Sequence, residues 1–292
     1  TIALVGPLAD AATNMTGTWS VAANHAQSVS LLQGLKNVAG NNARILYAKG
    51  SNLTADSLLE ERATMFGKSL NRDNRPAEVI LKEALEVAAQ ADVIVAALGE
   101  SAEMSGESAS RTNIEIPDVQ KELLAALLKT GKPVVLVVFT GRPLALTWEH
   151  QNVPAILNVW FGGTEAGNAI ADVLFGDVNP SGKLTATFPQ NVGQVPLYYN
   201  HKNTGRPLAE GQWFQKFRSN YLDVSNDPLY PFGYGLSYTS FRYGNLKLSD
   251  TTLKGNQTLT ASIDITNAGD RDGAEVVQLY IRDVVGSVTR PV

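Results

Sequence analysis

Residues 92–117 read DVIVAALGESAEMSGESASRTNIEIP, and the fold class turns on this stretch. Positions 93–98 form an unbroken apolar run. That is how a strand covered on both faces of a parallel sheet reads, because neither face needs polar residues. Gly99 breaks the run into a polar loop that carries Glu100, Glu103 and Glu107, then Arg111, before the chain returns at Pro117. Ligands of open α/β sheets sit at the carboxyl ends of the strands, so this acidic loop stands where chemistry is usually done. The same glutamates also read as a solvated polar loop, and pattern alone favours that reading.

Working outward, the flanking segments repeat the strand-then-helix alternation. Toward the N-terminus, Ile2–Val5 with Gly6-Pro7 reads as strand and turn, 25–38 as a helix stopped by Gly40, and Ile45–Ala48 as a second strand. Residues 50–75 are polar and read as irregular. Pro76 then opens a helix with an apolar stripe at Val79, Ile80, Ala84, Leu85, Val87 and Ala88. Beyond the loop, Pro117-Asp118 starts a helix with Val119, Leu123, Leu124, Leu127 and Leu128 inward and Gly131 as its stop. Strands are expected at Val134–Phe139, ending at Thr140-Gly141-Arg142-Pro143, and at 156–160, with a helix over 165–174. Asn179-Pro180-Ser181-Gly182 turns the chain toward a closing strand. This alternation implies right-handed βαβ units, hence an α/β domain with a mostly parallel sheet and helices on both faces, over residues 1–189.

The character changes after Pro189. Residues 190–237 are rich in Pro, Gly, Tyr and Phe without lasting periodicity, and read as an extended linker packed onto a neighbour. From 238 to 292 the period turns to two. Leu259, Ala261, Ile263 and Ile265 alternate with polar residues, and so do Val277, Leu279 and Ile281 after a turn over 267–273. This predicts a partial antiparallel β-sandwich, about 55 residues against the ~100 of a full one. The chain begins inside a strand pattern without a methionine or signal peptide, so a piece of a longer protein is expected.

Composition narrows the function. The 292 residues carry a net charge of -4, which provides no basic field for nucleic acid or an anionic membrane surface. No run reaches the ~18 apolar residues of a membrane-spanning helix. The absence of cysteine excludes disulfides, thiolate catalysis and cysteine-held metals. With only His25, His150 and His201, far apart, no histidine-rich metal centre is expected, and nothing calls for a cofactor. A dinucleotide fold is disfavoured as well, since Gly6-Pro7-Leu8 cannot make a G-x-G-x-x-G phosphate turn.

Several strings in order give a more specific reading. WFGGTEAGNAIADVLFGDVNPSGKLTATFP at 160–189, KPVVLVVFTGRPLAL at 132–146, PLYPFGYGLSYTSF at 228–241 and the opening TIALVGPLAD resemble the C-terminal α/β domain of family 3 glycoside hydrolases. GESASRTNIEIP at 106–117 and YYNHKNTGRP at 198–207 bring the resemblance nearest to the periplasmic β-glucosidase group of Gram-negative bacteria. The resemblance implies a retaining hydrolase of β-glucosides or oligosaccharides, periplasmic, with no cofactor. An N-terminal barrel supplies an aspartate nucleophile, and a fibronectin-type III-like domain follows the α/β part. It implies the acid/base at Glu107 of Gly-Glu-x-x-Ser-Arg, with Glu103 and Glu100 as rivals, and a chain that is inactive without the barrel. Arg111, His201 and Arg206 are candidate substrate-binding residues, with Asn203 beside them. Arg111 reads more readily as an anchor of the loop. Trp148 and Trp160 could stack on sugars, though such residues are more often core. The competing reading is a carbohydrate-binding or structural module without catalysis.

Overall fold

The computed structural model describes residues 1–65, 69–202, 204–209, 211–286 and 288. Asn203 lies outside these. Five parallel strands make the central sheet: β1 (Ile2–Val5), β2 (Ile45–Ala48), β3 (Val93–Gly99), β4 (Val134–Phe139) and β5 (Ala155–Asn158), in the order β2-β1-β3-β4-β5. Among the described residues six α-helices accompany them: α1 (Leu31–Ala39), α2 (Ser57–Arg62), α3 (Ala77–Ala89), α4 (Asp118–Leu128), α5 (Thr147–Asn152) and α6 (Ala166–Phe175).

The apolar runs are continuous because alternate residues feed two separate cores. Ala3, Val5, Ile94, Ala96, Leu98, Leu136 and Val138 face Ala84 and Ala88 of α3 and Leu123, Leu124 and Leu127 of α4. Leu4, Val95, Ala97, Val137 and Phe139 face Leu31 and Leu35 of α1 and Ile170 and Ala171 of α6. Helices therefore cover both faces, as the strand patterns require. The α1–α6 contact is unusually close. Gly34 lies against the backbone of Gly167, and Gly167 against the carbonyls of Val29 and Ser30, so a Cβ at either position would overlap main chain.

Local chemistry moved several boundaries. The helix expected over 25–38 begins only at Leu31, because Ser30 caps it, accepting from the Gln33 N–H at 3.2 Å, while 25–27 make a single 3₁₀ turn. The polar 50–75 stretch contains α2, capped by Asp56, whose Oδ1 accepts from Leu58 and Leu59. Val79 is exposed, since the buried stripe of α3 is Ile80, Ala84 and Ala88 at steps of four. The last strand stops at Asn158, short of Trp160, whose φ of +52° leaves the extended region. No closing strand forms over 183–188. Instead Phe188 makes one antiparallel bridge to Tyr230, and the Leu184 N–H donates to the Tyr234 carbonyl at 2.8 Å. The segment 228–235 thus folds back against the end of the α/β part.

After residue 240 two short antiparallel ribbons appear, β6 (Phe241–Tyr243) with β9 (Ile265–Asn267), and β7 (Lys247–Leu248) with β8 (Ala261–Ser262). The period-two run at Val277, Leu279 and Ile281 pairs with no strand among the described residues, and Leu279 and Ile281 are 71% and 84% exposed. Alternation makes a strand only where an edge and a facing layer receive it.

Substituting Gly167→Ala is expected to cost about 1–3 kcal/mol, because backbone must move to admit the methyl group. Gly182→Ala, in open space, should leave stability within ~0.5 kcal/mol. Urea unfolding midpoints check both, and equal midpoints would refute the close-approach reading.

Candidate functional site

The three loop glutamates have three different fates. Glu100, at the carboxyl end of β3, is completely buried. Its Oε1 accepts from Arg111 Nη1 at 2.7 Å and lies 3.1 Å from Arg142 Nε, and the Thr140 hydroxyl donates to Oε2 at 2.8 Å. Burying a carboxylate at this depth with no partner would cost several kcal/mol, and the two guanidinium groups offset that cost. Arg111 also donates to the Glu115 carbonyl at 3.2 Å. It thus binds the return of the loop to the sheet, and its ion-pair partner is Glu100 rather than Glu107.

Glu103 lies on a 3₁₀ turn, Ala102–Met104, half-buried, and its Oε2 accepts from the Thr18 hydroxyl at 2.9 Å. The Ala102 N–H donates to Oδ1 of the buried Asn14 at 2.8 Å. Both partners belong to the loop after β1. The β1–β3 seam is the point where the strand order changes direction, so the loops leaving these two strands open a crevice at the sheet's carboxyl edge. Glu103 and Asn14 stitch the two sides of that crevice together.

Glu107 stands at the tip. It is flanked by Gly106 at φ +104° and Ser108 at φ +60°, two left-handed residues that turn the chain sharply and push the side chain between them outward. Gly106 lies against the Thr18 side chain, where a Cβ would overlap it. The Glu107 carboxylate is exposed and makes no hydrogen bond or ion pair with any described residue. Below the turn, Arg142 Nη2 donates to the carbonyls of Met104 and Ala109, the latter at 2.6 Å. A cavity of about 320 Å³ opens beside this base, lined by Ser110, Arg111, Arg142, Thr187, Val195 and Leu197.

The other candidates are spread out. His201 and Arg206 are exposed, and neither makes a hydrogen bond or ion pair to the loop among the described residues. Trp160 packs on Phe188 with ring centroids 5.8 Å apart, and Trp148 packs against the same core, so both serve packing. Sequence reasoning passed over Thr18, Asn14 and Arg142 as parts of the site. For Arg142 a signal existed, since it follows the next buried strand, β4, at its carboxyl end.

Replacing Glu100 by Gln should destabilise the chain by about 3–5 kcal/mol, because Arg111 and Arg142 lose their common counter-charge in a buried place. Glu107→Gln should stay within ~0.5 kcal/mol of the parent, its carboxylate having no partner to lose. Urea denaturation of both variants tests this, and equal losses would remove Glu100 as the anchor.

The chain is 51% identical to the periplasmic beta-glucosidase of Salmonella typhimurium, over all of this chain and 38% of that protein. It is 39% identical to a beta-xylosidase of Formosa agariphila, over 99% of this chain and 37% of the other. In structure it matches the beta-glucosidase of Listeria innocua in complex with isofagomine, with a TM-score of 0.84, 37% identity, and coverage of 100% of this chain and 37% of that one. The chain thus spans well under half the length of these relatives. The profile of the Glycosyl hydrolase family 3 C-terminal domain matches residues 1–238. On this match and these identities, the chain belongs to the C-terminal domain family of the family 3 glycosyl hydrolases.

Proposed function

We propose that this chain is the acid/base-bearing part of a retaining β-glucosidase, with Glu107 as the proton donor. The observation that carries the reading is the division of labour in the loop. Glu100 is committed to two arginines, Glu103 accepts from Thr18, and Glu107 alone is held out at the crevice with its carboxyl free to react. Its nucleophile partner, an aspartate, belongs to an N-terminal barrel outside this chain, and two carboxyls about 5–5.5 Å apart suit retention.

In the first step the aspartate attacks the anomeric carbon as the glycosidic C–O bond breaks, and Glu107 gives its proton to the departing oxygen. In the second, the Glu107 carboxylate takes a proton from water, whose oxygen displaces the aspartate from the sugar. A general acid must hold its proton near neutral pH, which an apolar surround or a neighbouring carboxylate brings about. Glu107 is exposed in this chain, so in the proposed enzyme that surround comes from the barrel closing over the loop. Arg111 shapes the cavity wall, and His201 and Arg206 border the substrate from the 190–237 linker. The same proposal takes 1–189 as the α/β domain and 238–292 as the start of a fibronectin-type III-like sandwich. It puts the enzyme in the periplasm, as the Salmonella relative's name suggests.

In the full-length enzyme, Glu107→Ala should lower turnover of alkyl glucosides by ~10²–10⁴-fold, because their leaving oxygen needs a proton. Activated aryl glucosides should suffer far less. Azide should restore part of the turnover and yield β-glucosyl azide, whereas Glu100→Ala and Glu103→Ala should show no rescue. Rescue of either of these without rescue of Glu107→Ala would reassign the acid/base within the loop. Loss independent of leaving group in all three would end the catalytic reading.

A further inference from the structure

The turn bearing Glu107 has little bonding of its own. One backbone hydrogen bond closes it, from the Ala109 N–H to the Gly106 carbonyl at 3.4 Å, and Thr18 props one side. Its Ser108 sits in left-handed backbone, and the buried Ser105 hydroxyl finds no hydrogen-bond partner among the described residues. What grips both ends of the turn is a single nitrogen. Arg142 Nη2 donates to Met104 and Ala109, the residues on either side of 105–108. The guanidinium is in turn fixed to the sheet, because its Nε faces Glu100 and the Arg142 N–H donates to the Thr140 hydroxyl at 3.1 Å.

We propose that Arg142 is the positioning residue of Glu107: it clamps the two carbonyls that bracket the turn and ties them through Glu100 to the ends of β3 and β4. The proposal rests on the reading of Glu107 as proton donor and extends it to the residue that sets that donor's place. Arginine suits the task. Its planar fork can meet a carboxylate and two carbonyls at once, whereas a lysine ammonium is a point charge that can serve Glu100 but cannot span all three. Proton donation depends on placement, and a shift of about 1 Å can cost ~10²-fold in rate.

The test uses Arg142→Lys in the full-length enzyme, a variant that keeps a cation beside Glu100 and leaves Arg111 in place, so that the fold persists. Hydrogen exchange over 105–109 should accelerate, with exchange over β3 unchanged. The kcat for alkyl glucosides should fall roughly 10- to 100-fold, with KM little changed and activated aryl glucosides nearly unaffected. The double variant Glu107→Ala/Arg142→Lys should be no slower than Glu107→Ala, since Arg142 acts through Glu107. Unchanged exchange in the turn overturns the proposal. So does an equal loss on both substrate classes, or an additive loss in the double variant. If Glu107→Ala itself shows no leaving-group dependence while the turn still loosens in Arg142→Lys, the proton-donor reading falls and the clamp stands.

Discussion

A buried carboxylate organises the carboxyl end of the central sheet. Glu100 is fully removed from water at the tip of β3, and burying a charge there is tolerable only if opposite charge comes to it. Arg111 arrives from the return of the acidic loop and Arg142 from the tip of the neighbouring strand β4. Meeting one carboxylate forces three separate pieces of chain into register. Behind them a second buried polar side chain does similar work. Gln120 of α4 accepts from the Gly99 N–H at 2.8 Å and donates to the carbonyls of Leu53 and Gly99. The strand end is therefore held from both sides before the loop begins.

On that fixed base the loop holds an exposed glutamate, Glu107, at its tip. The sheet supplies stiffness, with alternate residues of β1, β3 and β4 locked into two cores. The loops leaving β1 and β3 meet across the seam where strand order reverses, joined by Asn14 to Ala102 and Thr18 to Glu103. For the proton donor proposed above, such a scaffold fixes placement before the reaction begins.

Packing thins along the chain. The C-terminal ribbons are attached to the α/β part through Asn179, which donates to the Asp272 carbonyl at 2.8 Å and accepts from Ser237 and the Tyr238 N–H. The Tyr238 hydroxyl donates to the Val173 carbonyl at the end of α6. Beyond these tethers the apolar side chains of Leu248, Leu253, Leu279 and Ile281 are exposed, where those of β3 and β4 are almost wholly buried. The two regions differ in whether a second layer meets the apolar face, not in how apolar the strands are.

By itself the sequence determined the strands β1 to β4, the stops at Gly40 and Gly131, and the presence of an acidic loop at the end of β3. Each of these is written in neighbouring residues, as an apolar run or a residue with special backbone freedom. The start of α1, the short α2 and the early end of β5 were less legible, because a single cap or one left-handed residue outweighed the wider pattern. The surroundings of each loop glutamate were decided only by tertiary structure. The partners of Glu100 lie 11 and 42 residues away, brought to it by parallel strand pairing and loop closure. In sequence Glu100, Glu103 and Glu107 are three similar carboxylates. Only folding buries one between arginines, gives the next to Thr18 and leaves the third at the crevice, because pairing depends on distance in space and spacing along a loop does not encode it.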